Sequence, residues 1–126
     1  IKDVGVIGVE SGWEIYVAGN GGIKTEVAQF LTKVKSAEEV LEYSGAFLQL
    51  YREEAIYLER TVHYVARVGL DYVKHRILDD VDHRRALYER LLFALQVEQD
   101  PWLERAQGKE AHEFQPLAAK ADLALA

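Results

Sequence analysis

The stretch that most constrains this chain is residues 3–22, DVGVIGVESGWEIYVAGNGG. Val4, Val6, Ile7 and Val9 are β-branched and interrupted only by Gly5 and Gly8, a short apolar run suited to a buried strand. Glu10-Ser11-Gly12 supplies turn chemistry. Trp13, Ile15 and Val17 then alternate with Glu14, Tyr16 and Ala18, the period-two pattern of a strand with two unlike faces. The short connection predicts an antiparallel hairpin, and two strands alone are marginal in water, so the hairpin needs helices or further strands.

Gly19-Asn20-Gly21-Gly22 follows directly. After it, Val27, Phe30, Leu31 and Val34 fall at i, i+3, i+4 and i+7, which predicts an amphipathic helix over 25–35 with Thr25 as its N-cap. Ser36-Ala37-Glu38-Glu39 is a capping box opening a second helix that runs to Glu59, with Val40, Leu41, Ser44, Phe47, Leu48, Tyr51, Ala55 and Leu58 on or beside its buried face and Gly45 inside it. Between Glu59 and Asp80 the pattern is ambiguous. Val62, Tyr64, Ala66 and Val68 alternate as in a strand, while Val62, Val65, Ala66 and Gly69 fit a helix. We read a helix ending at Gly69 and another over 71–78. Asp80 or Asp82 caps the next, with Leu87, Leu91, Ala94 and Leu95 as its stripe, and Asp100-Pro101 opens a short turn that buries Trp102. The fold class is α+β: a two-stranded β element, part of a larger mixed sheet, then a mainly helical region. We place residues 1–106 in one domain and 107–126 in a loosely ordered tail.

Composition excludes several functions. A formal charge of −6 and a pI near 5.2 argue against a general nucleic-acid binder. No apolar run approaches the ~20 residues of a membrane helix, and no signal peptide is evident. The chain has no cysteine, hence no disulfide, thiolate ligand or cysteine nucleophile. It also has no methionine and opens straight into a strand, so a piece of a longer polypeptide is expected.

The loop is the first candidate site. Gly19, Gly21 and Gly22 let backbone N–H groups approach an anion, Asn20 adds an amide, Lys24 adds a charge, and the expected helix N-terminus adds positive potential. The alternative is a structural turn requiring positive φ. Its spacing matches neither the dinucleotide-binding fingerprint nor the phosphate loop. His63, His75, His83 and His112 form no His-Glu-x-x-His motif, and His75 with Asp79 is expected to be a solvated helical pair. Lys74, His75, Arg76, His83, Arg84 and Arg85 are interleaved with Asp71, Asp79, Asp80 and Asp82, which predicts weak surface ion pairs.

VGVIGV, WEIYVAGNGG and KTEVAQFL, continued by SAEEVLEYSGAFLQLYREEA, ERTVHYVARVGLDYVKHRI and Asp100-Pro101-Trp102, resemble the C-terminal siroheme and iron–sulfur domain of the nitrite and sulfite reductase family. Within that family the sequence is similar to the branch of cytoplasmic, pyridine-nucleotide-dependent assimilatory nitrite reductases. The resemblance implies reduction of nitrite to ammonia with electrons from NAD(P)H. It also implies siroheme and a four-iron four-sulfur cluster in the parent, and FAD and NAD(P)H bound elsewhere. The family's four cluster cysteines lie upstream, so this piece is expected to bind no cofactor, to supply no metal ligand or catalytic residue, and to be inactive alone. Gly19, Asn20, Gly21 and Gly22, and more weakly Lys24, match the family's loop beside the cofactors, with the glycines shifted. The implied partners are the N-terminal remainder of the polypeptide and the small nitrite reductase subunit, with no nucleic acid or membrane; separation from that remainder exposes strand edges and favours self-association. A sulfite reductase is the near alternative, and a non-catalytic helical interaction module the distant one.

Overall fold

The computed structural model describes residues 2–97 and 101–107. Three antiparallel strands come first, in the order β1 (Val4–Val9), β2 (Gly12–Val17) and β3 (Gln29–Val34). Then follow α1 (Ala37–Glu54), α2 (Thr61–Val68), α3 (Leu70–Lys74) running into a π-helical turn (His75–Asp79), α4 (Val81–Val97) and α5 (Pro101–Gln107). This is the α+β class, with one strand more than the two expected. Two compact units divide it, 1–93 and 94–126. Among the described residues no helix is long and apolar enough to cross a membrane.

The hairpin forms as its sequence predicts, pairing Val4 with Val17 through to Val9 with Gly12. Gly12 has φ +147°, and a Cβ there would lie 2.2 Å from the Val34 carbonyl oxygen, so only glycine fits where β2 leaves the turn beside β3. The helix expected over 25–35 is instead β3. Its register slips between Ile15 and Tyr16, which face Thr32 and Phe30, so Leu31 is the extra residue of a bulge. The bulge places both Leu31 and Val34 in the core, three residues apart, and thereby imitates helical spacing.

Ile15, Val17, Leu31 and Val34 join Ala46, Phe47 and Leu50 of α1, Tyr64 and Val65 of α2, and Val73, Ile77 and Leu87 in one buried cluster. Each large apolar side chain buried this way contributes about 1.5–3 kcal/mol. Ser36 caps α1, its Oγ accepting from the Glu39 amide at 3.2 Å. The helix ends at Glu54 rather than Glu59, and Leu58, expected inward, is exposed with φ +67°. Leu41 is also exposed. Gly45 is there for space, since a Cβ would come 2.7 Å from Tyr88 Cδ1 and 3.0 Å from Leu91 Cδ2 of α4.

The ambiguous segment is helical, broken at Gly69 (φ +91°) as expected. Asp80 caps α4 by accepting from the His83 amide at 3.0 Å. Of the expected α4 stripe, Leu87 is fully buried, Leu91 and Ala94 partly so, and Leu95 is exposed. The basic cluster behaves differently from its expected surface pairing. Arg84 is buried, donating to Glu42 Oε2 at 3.0 Å and to the Ile77 carbonyl at 2.9 Å, with its guanidinium 4.2 Å from the Tyr43 ring centre. His75 and Asp79 form the solvated pair, 3.3 Å apart. In the second unit Trp102, expected to be buried, is exposed and lies beneath the Arg105 guanidinium. Asp100 and His112, and the expected tail apart from Gln107, lie outside the described residues.

The α1–α2 connection is fastened by Glu59. Arg67 Nε and Nη2 each donate to its carboxylate at 2.8 Å, and the Ile56 amide donates at 3.1 Å. Arg67 above all, with the Ile56 amide, holds the Glu59 carboxyl at about 2. Because the folded value is depressed, this contribution to stability is present above the ordinary carboxylate value and is lost as pH falls toward about 2. A carboxyl-carbon NMR titration should find Glu59 ionised to about that pH, and Arg67→Gln should return it toward the ordinary glutamate value. Gly12→Ala should cost about 1–3 kcal/mol in urea denaturation. Gly5→Ala, whose Cβ would meet only Tyr16 Cβ at 3.9 Å, should change stability by less than about 0.5 kcal/mol.

Candidate functional site

The glycine loop leaves β2 through Ala18, which is buried and left-handed at φ +64°. Ala18 and Gly19 continue the hairpin, their amides donating to the carbonyls of Asp3 (3.0 Å) and Lys2 (2.9 Å). Asn20 and Glu26 then form an isolated antiparallel bridge, with an N–H···O bond of 2.9 Å in each direction, and so close the loop over 21–25. Asn20 Nδ2 spans the loop to the Lys24 carbonyl at 2.8 Å. Lys24 Nζ lies 3.4 Å from Glu26 Oε1.

None of Gly19, Gly21 and Gly22 has positive φ; the left-handed residue is Ala18. A Cβ at Gly22 would sit at ordinary contact distance, 3.5 Å, from Asn20 Nδ2. The helix N-terminus expected after the loop is absent, because β3 follows, so that source of positive potential falls away. A different helix faces the loop. Val62, His63 and Ala66 of α2 stand across a cleft of about 230 Å³ from Asn20, Lys24, Glu26 and Gln29.

Asp3 holds this arrangement together. Its carboxylate accepts from Thr61 Oγ1 at 2.5 Å and from Arg60 Nη2 at 3.1 Å, tying the segment that leads into β1, whose carbonyls hold Ala18 and Gly19, to the start of α2. A carboxylate at a helix N-terminus is also electrostatically favourable. Gln29 and His63 are thus cleft residues that the sequence reading did not assign. They are 34 positions apart with no spacing signal, and only the third strand brings them together.

Beside the cleft, apolar side chains remain uncovered. Ile23 at the loop tip is fully exposed and Val27 nearly so. On the sheet face away from α1, Ile7 and Phe30 are about half exposed, and Tyr16 meets Phe30 edge-on with centroids 5.6 Å apart. Gly5, Ile7, Tyr16, Val27, Ala28 and Lys2 line a shallow depression of about 350 Å³ there. Among the described residues no group of three or more histidine, aspartate or glutamate side chains is placed to hold a metal ion.

Chemically, the cleft presents two hydrogen-bonding side chains, His63 and Gln29, with a cation already opposed by Glu26. Groups of this kind can exchange hydrogen bonds with a polar ligand, and no nucleophile–base pair stands among the residues lining the cleft.

Residues 1–85 match the family model described as the nitrite and sulphite reductase 4Fe-4S domain. The chain is 49% identical over 110 residues to a nitrite reductase [NAD(P)H] of Bacillus subtilis, covering 87% of this chain and 14% of that protein. It is 40% identical over 81 residues to the nitrite reductase (NADH) large subunit of Escherichia coli, covering 63% of this chain and 10% of the relative. An assimilatory-type sulfite reductase of Nitratidesulfovibrio vulgaris is 26% identical over 78 residues, 62% of this chain and 36% of that one. No solved structure matches the chain significantly. With more than half its length in the matched region, the chain belongs to the nitrite and sulfite reductase 4Fe-4S domain family.

Proposed function

We propose that the chain is part of an NAD(P)H-dependent nitrite reductase, reducing nitrite to ammonia, in which it builds one wall of the siroheme and cluster site. The observation that carries this reading is the 49% identity to the Bacillus subtilis nitrite reductase across 87% of the chain. Sulfite as substrate is a weaker second reading, supported by the 26% identity to a sulfite reductase.

Siroheme and cluster, when bound, supply the electron transfer and the iron that takes the substrate. The chain has no cysteine, so the thiolates of a four-iron cluster have to come from outside it, and no step is assigned to a ligand of its own. Its residues instead shape and orient. Gly19, Asn20, Gly21 and Gly22 offer backbone without side-chain bulk, and the Asn20 amide fixes the loop to the Lys24 carbonyl. Lys24, Gln29 and His63 give the cleft donors suited to a carboxylate rim, while exposed Ile23 and Val27 offer an apolar surface that excludes water when covered. The isolated chain is proposed to be inactive.

The test is made in the full-length polypeptide that carries this chain. Asn20→Ala combined with Gly22→Val should lower siroheme absorbance and nitrite-dependent NAD(P)H oxidation together, by about tenfold or more. Tyr57→Lys, on the exposed α1–α2 connection, should change neither. Full cofactor content and turnover in the loop variant would overturn the reading.

A further inference from the structure

One residue bonds to both walls of the cleft. The main-chain carbonyl of Asp3 accepts from the Ala18 amide at 3.0 Å, and its carboxylate accepts from Thr61 Oγ1 at 2.5 Å. Ala18 opens the glycine loop, and Thr61 begins α2 two residues before His63. Ala18 is buried with φ +64°, a conformation that alanine keeps only when its surroundings impose it. α2 has no side-chain cap at Arg60 and no acid in its first turn. The positive end of its dipole is answered instead by a carboxylate 58 positions from Thr61 in sequence.

We infer that Asp3 is a positioning residue, whose bond to the Thr61 hydroxyl sets the separation of residues 19–24 from His63 and so the fit of the cleft to a polar ligand rim. That this rim belongs to siroheme rests on the function proposed above. The Thr61 bond carries the role more than the Arg60 ion pair does. Thr61 is 3% exposed, whereas the Arg60 and Asp3 side chains are 63% and 44% exposed. An ion pair so open to water contributes little. A buried hydroxyl donating to a carboxylate makes a strong, directional bond, and its loss leaves the acceptor without a replacement on that side.

The test uses the full-length polypeptide that carries this chain, with and without cofactor. Without it, amide hydrogen exchange of residues 18–20, measured against the buried α1 residues Phe47 and Leu50, should quicken about tenfold in Asp3→Ala and in Thr61→Val. Arg60→Ala should quicken it less, and Thr61→Ser, which keeps the hydroxyl, should stay close to wild type. With cofactor, siroheme absorbance per polypeptide should fall about threefold or more in Thr61→Val and recover in Thr61→Ser. Gly12→Ala strains the same hairpin at its far end and should leave both readouts near wild type despite its cost in stability. If Gly12→Ala reproduces both changes, general loss of stability is their cause and the inference is overturned. Unaltered exchange of residues 18–20 in Thr61→Val, or an equal effect of Arg60→Ala, would also overturn it. Should Asp3→Ala fail to fold, the nearly isosteric Thr61→Val decides. Full siroheme in Thr61→Val beside depletion in the Asn20→Ala, Gly22→Val double variant would overturn the positioning role and leave the proposed function standing. Full siroheme in the double variant would overturn that function, and the exchange rates alone would then decide whether Asp3 positions the loop.

Discussion

The helical part of the structure depends on one buried cation. Arg84 carries a full charge into the interior, where an unpaired guanidinium would be strongly destabilising. Every direction it faces is answered: Glu42 from α1, the Ile77 and Leu78 carbonyls from the π-helical turn, and the Tyr43 ring beneath. The carbonyls matter most for the shape of the chain. A π-helical turn ending at Asp79 leaves acceptors without a helical successor, and a planar guanidinium with several donors suits them as an ammonium would not. Arg84 thus ties α1 to α4 through the irregular segment between them. The close approach at Gly45 lets Tyr88 and Leu91 settle against α1 alongside it. Arg90 and Glu53, bridged at 2.7 Å, extend the same seam at the surface.

How much of this was readable in advance depended on whether the deciding interaction was local. The Ser36 capping box, the β1–β2 hairpin, the break at Gly69 and the Asp80 cap each involve residues a few positions apart, and each formed as read. β3 was misread because its bulge shifts the phase of a strand by one residue, so Leu31 and Val34 both point inward at a helical interval. Arg84 was misread because its partner, Glu42, lies on another helix; the aspartates near it in sequence made surface pairing look sufficient. The site was partly legible for the same reason. The loop announces itself through glycines, but what faces it does not. Asp3, Gln29 and His63 reach it only through the β1–β2–β3 order and the Asp3–Thr61 bond.

The loop is ordered by its own hydrogen bonds and not by a helix. It does not gain potential from a helix that follows it, and its glycines are not held left-handed. Its order comes from the Asn20–Glu26 bridge and the Asn20 amide, and its setting from α2 across the cleft. A fixed, low-bulk backbone segment flanked by uncovered apolar residues is what one wall of a larger pocket requires. The chain spans only 14% of the Bacillus subtilis relative it matches.

A cryo-electron microscopy map of the cofactor-loaded full-length polypeptide would decide whether residues 19–24 line a tetrapyrrole and cluster site, as proposed. The backbone of Gly19 to Gly22 should lie in van der Waals contact with the siroheme or the cluster, with Lys24 turned toward its rim. A map placing this loop on the outer surface, with other chain segments between it and both cofactors, would contradict it.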